Sequence, residues 1–429
     1  MASESFASSD PAVYAEYEAK WSALPKDEGE WIQRAKDVAD VLKPDASARE
    51  KENKSPKAEV ALLKHSGLLK ALGPAKYGGG GQSRAVGYRL VREVAKGDGS
   101  VGMLLGYHLV WSHIADVFGS KEQAEKVQKE IISNNYFVGG AVNPRDNDLI
   151  IKPEGDKIIF DGFKNFSTGG VISDLTVLEG VVADTSDHIF AVVPTNQAGI
   201  QFKHNWDNVG LRLTESGGVE IKNVAVEWSD ALGWDSQTKK PDPAILGVPL
   251  ASLFLPLVQL TFANFYIGIA WGALEFAKEY TRKYTRPWPY GGDNKDKAED
   301  EFYILQTFGN FFAHLRAATA LADRANSEAG RLFTKYVNVE NRAKFTAEER
   351  GEFAEWVAST KVVATDTSLR VTAGVFEATG SRATAAKVGL DRFWRDVRTH
   401  TLHDPVSYKN REQGRYYLLG EAPEATWYT

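Results

Sequence analysis

Two histidines and an aspartate stand within five residues in the stretch RTHTLHDP, residues 398–405. His400 and His403 are three positions apart, so on a helix they share one face. Asp404 precedes Pro405, which puts it at or just past a helix end. Three readings are open: a metal site, a proton-transfer pair, or two imidazoles packed at the negative pole of a helix. A metal needs a third and usually a fourth ligand. No HExxH pattern supplies one, and the chain has no cysteine. Proton transfer asks for less, because one imidazole near its ordinary pKa of about 6.5 suffices.

Other segments carry weaker signals. In LLGYHLVWSHI, His108 and Trp111 lie three apart on an apolar helical pattern, and a buried imidazole there must find a partner. FKNFSTGG ends a strand pattern with Ser167, Thr168 and two glycines. Its hydroxyls and backbone N–H groups suit the edge of a heteroaromatic ring, or an ordinary turn. GLRLTESGG repeats the pattern with Arg212, Thr214 and Ser216. Arg286, between aromatics and prolines in YTRPWPYGG, suits a phosphate or a ring carbonyl, or simple surface stacking. No GxGxxG opens a βαβ unit, and there is neither a P-loop nor a GxSxG elbow. Nicotinamide or a nucleoside triphosphate as principal cofactor therefore has no support.

The elements that must position these groups come in three blocks. Helical periodicity runs through residues 12–135. Short apolar runs separated by turn residues follow to about 228 and predict an antiparallel sandwich or barrel, with a hairpin turn at EGD, residues 154–156. After a Pro-containing connector, long helical patterns cover 253–284, 301–337, 347–379 and about 390–403, which predicts a four-helix bundle. Thr346 and Glu349 form a capping-box pattern at the start of the third. The expected domains are an N-terminal α-helical domain (1–135), a middle β domain (136–232) and a C-terminal four-helix bundle with a tail (245–429), an α+β fold. The net charge of −6 gives no footprint for nucleic acid. The uncharged stretch 250–274 is long enough for a membrane span, but Pro256, Gln259 and Asn264 interrupt it, so it reads as a buried helix rather than a membrane contact. The N-terminus lacks the order of a secretory signal, and the expected location is cytoplasmic.

Longer motifs add a resemblance. GLLKALGPAKYGG, REVAKGDGSVGMLLGYH, QLTFANFYIGIAWGALE, YTRPW and above all DRFWRDVRTHTLHDPVSYK resemble the acyl-CoA dehydrogenase superfamily along nearly the whole chain, and most closely its flavin-dependent, dibenzothiophene monooxygenase branch. The resemblance implies an acyl-CoA dehydrogenase-like fold and a homotetramer in which a neighbouring subunit completes the flavin site. It implies reduced FMN, supplied by a separate flavin reductase, with molecular oxygen adding at flavin C4a. One oxygen then passes to a sulfur or nitrogen atom of a small apolar organosulfur or amine substrate. His108 and His403 match the histidines expected beside the flavin, with His400 flanking. Ser167, Thr168, Arg212 and Arg286 are then expected to hold the cofactor, and Tyr107, Trp111, Asn143 and Trp206 to shape the substrate pocket.

The chain also departs from that pattern. Gly140 stands in the cofactor-binding strand where the branch has an asparagine, and Thr168 where it has a serine. Asn143 is a candidate to replace the lost amide, and the loop 142–148 differs from its counterparts. The competing reading is an FAD-dependent acyl-CoA dehydrogenase or oxidase, which needs a carboxylate base near HTLHDP; Asp404 would have to turn inward to serve. A third is a non-catalytic binding protein that kept the fold.

Overall fold

The structure, a computed structural model, describes residues 7–144, 148–426 and 429. Eight helices come first: α1 (Glu16–Lys20), α2 (Glu28–Leu42), α3 (Ala46–Glu52), α4 (Lys57–Ser66), α5 (Arg84–Gly97), α6 (Gly99–Trp111), α7 (Ile114–Phe118) and α8 (Lys121–Asn134). Their starts are written in side chains. The Asp98 carboxylate accepts from the Val101 N–H and caps α6, while Ser120 and Gln123 form a reciprocal capping box on α8.

Among the described residues, seven strands of the main sheet follow, before a two-stranded ribbon (Trp234–Asp235 with Lys240–Pro241): β1 (Val138–Ala141), β2 (Leu149–Glu154), β3 (Lys157–Lys164), β4 (Leu175–Val182), β5 (His188–Pro194), β6 (Ile200–Phe202) and β7 (Val219–Glu227). They form one sheet in the order β1-β4-β2-β3-β7-β6, with β5 on the other edge of β4. The expected hairpin is present, Glu154 facing Lys157 across Gly155 at φ 58°. The expectation of an all-antiparallel β domain needs correction. β1 and β2 both run parallel to β4, one after the other along the same edge. Short buried strands such as VGGA lack the alternation that would betray their direction.

The C-terminal part contains α9 (Phe254–Tyr284), α10 (Phe302–Tyr336), the short α11 (Val339–Arg342), α12 (Ala347–Thr379), α13 (Asp391–His400) and α14 (Val406–Leu419). Thr346 caps α12 through the Glu349 N–H. Up to Leu274, α9 is buried on nearly all sides and packs along α12, α5, α10 and α6, as a helix apolar all round does. The stretch Pro249–Tyr284 is long and apolar enough to cross a membrane by composition, yet 89% of its most apolar window is buried inside the protein. It is the core helix that its interruptions suggested. A single apolar core joins the N-terminal helices to α9, α10, α12 and α13, and a second fills the β domain. α6 is the strut between them, touching α9 and α13 on one side and β1 and residues 212–214 on the other.

Candidate active site

The residues of RTHTLHDP form an elbow. α13 ends at His400, the His403 N–H donates to the His400 carbonyl, and Pro405 opens α14. Asp404 lies in the turn between α13 and α14, and its carboxylate turns inward between α9 and α12. One oxygen accepts from the Lys361 ammonium at 2.9 Å, the other from the Gln259 amide at 2.8 Å. The His403 ring, 44% exposed, lies with Nδ1 3.3 Å from the Asp404 oxygen that Lys361 also holds. Burial disfavours the charged carboxylate, but the His403 hydrogen bond and the Lys361 charge outweigh it and hold Asp404 well below the usual carboxylate range.

His400 is the buried member of the pair. Its Nδ1 is 2.7 Å from the Tyr266 hydroxyl and its Nε2 3.2 Å from the Tyr107 hydroxyl. Tyr266 also reaches the His400 carbonyl at 3.0 Å and accepts from Lys361 at 3.3 Å. The two imidazoles stack with centroids 5.4 Å apart, both edge-on to Phe262. Burial, then the neighbouring His403 and Lys361, push His400 well below the ordinary histidine value. Lys361, Tyr266 and Gln259 were not legible as site residues. Their only trace is polar atoms at buried positions of two otherwise apolar helix faces, with Gln259 and Tyr266 seven apart on α9.

His108 is placed differently from its expected role at the flavin. Its Nε2 donates to the Leu69 carbonyl at 2.9 Å, and its Nδ1 accepts from the Val138 N–H at 3.0 Å. Both nitrogens are spent on backbone, and burial pushes the ring down to about 4. His108 is a neutral strut tying α6 to β1, with no nitrogen left to carry a proton to a ligand.

Tyr107 and Trp111 continue a wall of rings from the histidines. Phe262, Tyr107, Trp111, Phe254 and Phe118 follow one another with centroids 5.5–5.9 Å apart. Gly140 is where Trp111 packs: a β-carbon there would stand 2.6 Å from the indole. The space of a side chain at position 140 is thus taken by Trp111, whose own Nε1 meets no acceptor among the described residues. Beyond Phe254 opens a cavity of about 450 Å³, lined by Phe118, Phe190, Trp234, Leu246 and Phe254, with Ser186, Asp187, His188, Ser252 and Thr426 as polar members. None of the four expected pocket residues lines it; Trp111 meets it through Phe254. Asn143 is held by its backbone, N–H to Glu179 and carbonyl to Lys164, a fully buried ion pair that also carries His188. The remainder of the loop in question, residues 145–147, lies outside the described residues.

The two hydroxyl loops close on each other. Ser167 donates to the Gly217 carbonyl at 2.8 Å. Thr214 donates to the Leu211 carbonyl, so the Ser216 proton must go to Thr214 and the Thr168 proton to Ser216. Thr168 therefore keeps only acceptor capacity for a ligand. Between these loops Phe166 sits at φ 61°, unusual for a bulky residue, with its ring 60% exposed and edge-on to Trp206. Backbone held there against its preference points to function. A bare aromatic ring, an acceptor hydroxyl and a neighbouring indole fit a flat heteroaromatic cofactor. Trp206 thus joins this loop, its indole donating to Leu211, rather than the Tyr107–Trp111 wall. Arg212 is committed to Asp207, Asn208 and the Glu50 carbonyl. Arg286 lies past the end of α9 and is exposed.

The loops are bolted to the histidine helix. The Asp396 carboxylate accepts from the Leu211 N–H at 2.7 Å, and Arg395 donates to the Val209 carbonyl at 2.8 Å. Burial pushes Asp396 up to about 7, against the opposing pull of Arg392. Among the described residues no group of three His, Cys, Asp or Glu is arranged to hold a metal.

Known proteins share this fold. Residues 27–135 match the model of the acyl-CoA dehydrogenase N-terminal domain and residues 260–408 that of the acyl-CoA dehydrogenase C-terminal domain. The chain is 37% identical over 402 residues to the dibenzothiophene monooxygenase of Rhodococcus erythropolis, covering 91% of this chain and 93% of that one. A probable FMNH2-dependent monooxygenase of Pseudomonas putida is 33% identical, covering 92% and 96%. The crystal structure of the Paenibacillus sp. A11-2 dibenzothiophene monooxygenase in complex with FMN and indole superimposes with a TM-score of 0.85 at 34% identity, covering 93% of this chain and 100% of that one.

Proposed function

The chain belongs to the acyl-CoA dehydrogenase family, in its flavin-dependent monooxygenase branch, and from that premise we propose that it transfers one oxygen atom from O2 to a sulfur or nitrogen atom of a small apolar heteroaromatic substrate. The cofactor is reduced FMN, delivered by a separate reductase. Reduced FMN supplies two electrons that split O2, one oxygen going to the substrate and the other leaving as water. The residues of the chain bind, orient, exclude solvent and supply the proton that the departing oxygen needs.

Phe166 offers the ring of the cofactor an exposed aromatic surface with the Trp206 indole edge-on beside it, and Thr168 offers an acceptor to a ring N–H. Arg286 is assigned to the phosphate of a neighbouring copy's cofactor in a homotetramer. Its exposure beside the bare rings of Trp288 and Tyr290 supports this reading. The ring wall from Phe262 to Phe118 keeps water from the reacting atoms, the condition under which a reactive oxygen species survives long enough to meet its substrate. The 450 Å³ cavity beyond Phe254 is lined largely by aromatic and aliphatic side chains, with room for a fused aromatic ring system. His403, the exposed imidazole, supplies the proton.

One observation carries the choice of reaction. Asp404 does turn inward, yet it is paired with Lys361 and held by Gln259. A carboxylate stabilised in this way is a poor base for removing an α-proton, so the inward turn does not rescue the dehydrogenase reading. The exposed His403 imidazole beside it is placed to pass a proton on, while His400 stays neutral at its side.

The test uses purified protein, FMN, NADH and an unrelated flavin reductase, with dibenzothiophene, indole or an aromatic amine. The expected result is an oxygenated product with little hydrogen peroxide, and loss of that coupling in His403→Ala. A tightly held FAD bleached by an acyl-CoA would overturn the assignment.

A further inference from the structure

Lys361 is 0% exposed, on a helix face otherwise filled by small and apolar groups. A buried lysine is rare and must be paired. Its ammonium touches two things of consequence. It donates to Asp404 at 2.9 Å, and the same carboxylate oxygen is 3.3 Å from His403 Nδ1. It donates to the Tyr266 hydroxyl at 3.3 Å, and that hydroxyl is 2.7 Å from His400 Nδ1. One cation thus reaches both stacked imidazoles through one intermediary each. It also lies over the Phe262 ring, 5.2 Å from the centroid, on which both imidazoles rest.

We propose that Lys361 is a positioning residue for the reaction: through Tyr266 it keeps His400 neutral and in one tautomer, and through Asp404 it orients His403, the imidazole left to take up and deliver the proton. The inference rests on the oxygen-transfer reading above. Its physical basis is short. Two imidazoles 5.4 Å apart do not both hold a proton cheaply. The buried ring has hydroxyls on both nitrogens and a cation two contacts away, whereas the exposed ring has a carboxylate. The charged and titratable groups around Lys361 are Asp404 and His403 at the elbow, Tyr266 on α9, His400 and Arg398 on α13, Tyr107 on α6 and Lys409 on α14. Only Asp404 is anionic, so the division of charge between the histidines depends on where Lys361 holds it. Burial moves Lys361 itself downward, partly offset by Asp404.

The test uses full-length protein labelled with ¹⁵N at histidine, first without flavin. Removing Lys361 alone would leave Asp404 an unpaired buried charge, so the variant to read is Lys361→Met/Asp404→Asn. In wild type, His400 is expected as one neutral tautomer throughout the neutral pH range. In the double variant His400 is expected to show both tautomers, and its signal is identified by its loss in His400→Gln. Tyr266→Phe, which cuts only the branch to His400, is expected to mix the His400 tautomers and leave His403 unchanged. With FMN and reductase, kcat of the double variant should fall at least tenfold, with FMN affinity and substrate KM within twofold of wild type. An unchanged His400 tautomer and unchanged kcat in the double variant and in Tyr266→Phe would overturn the inference. If wild type fails to oxygenate any substrate while the tautomer shift is seen, the proposed reaction fails and the Lys361 clamp stands.

Discussion

A β-carbon at Gly140 would stand 2.6 Å from Cε2 and 2.7 Å from Nε1 of Trp111. Strand β1 and helix α6 approach so closely here that a β-carbon at 140 and the indole at 111 compete for one space, and the indole takes the room. Gly140→Ala is therefore expected to destabilise the protein by about 1–3 kcal/mol, the usual cost of overpacking a dense core. The cost should shrink by at least ~1 kcal/mol in a Trp111→Phe background, where the ring is smaller. A double-mutant cycle by urea denaturation measures the coupling; additive costs would show that the two residues do not share the space.

His108 makes a prediction of the opposite kind from a proton carrier. His108→Phe orphans the Val138 N–H and the Leu69 carbonyl, each costing about 1–3 kcal/mol. The loss should also depend on pH. The folded ring titrates at about 4, whereas a histidine in the unfolded chain titrates near 6.5, roughly. The unfolded state thus binds a proton that the native state refuses, and stability falls as pH drops from about 6.5 to 4. His108→Phe lacks that penalty, so its deficit against wild type should narrow by roughly 3 kcal/mol over the same range. Denaturation at stepped pH checks this; a constant deficit would mean that the buried ring is protonated in the fold.

Asp396 has the reverse sign. Its carboxyl titrates at about 7 in the fold against an ordinary 3.8, so the native state keeps a proton that the unfolded chain has lost. Wild type should gain on Asp396→Asn as pH falls from 7 to 4, by about 4 kcal/mol at most. Asparagine preserves the acceptor for the Leu211 N–H, which isolates the titration from the hydrogen bond. A flat difference across that range would place the Asp396 pKa near its ordinary value.

Gly210 joins the loop proposed to hold the cofactor to the histidine helix. A β-carbon there would meet the Arg395 carbonyl at 2.3 Å and the Asp396 nitrogen at 2.5 Å. Neither is a flexible tip that can swing away. Gly210→Ala should push the loop off α13, strain the Leu211–Asp396 bond and weaken FMN binding at least tenfold, read by quenching of flavin fluorescence. FMN affinity within twofold of wild type would show that the contact between loop and helix does not shape the cofactor site.

Much of this was legible in the order of residues because it depends on local spacing. The three helix–strand–helix blocks, the Thr346 cap, the 154–156 hairpin and the His400–His403 face are short-range features. The partners that decide chemistry are not. Lys361 meets Asp404 across 43 residues of chain, and His108 meets Leu69 and Val138 across 39 and 30. Nothing in the neighbours of a lone lysine or histidine signals which distant carboxylate or carbonyl it will find. His108 therefore read as a proton carrier when the fold uses it as a strut. Likewise, the direction of the short strands β1 and β2 is set by what β4 offers them rather than by their own side chains.

The central claim is oxygen transfer from a reduced flavin to a heteroatom. It is tested most directly in one turnover, by mixing the protein with anaerobically reduced FMN and a slight excess of dibenzothiophene or indole, then adding ¹⁸O2. The expected result is one ¹⁸O atom in the organic product and hydrogen peroxide as a minor product, with peroxide predominating in His403→Ala. Release of all the label as hydrogen peroxide, with sulfur and nitrogen substrates alike recovered unchanged, would contradict it.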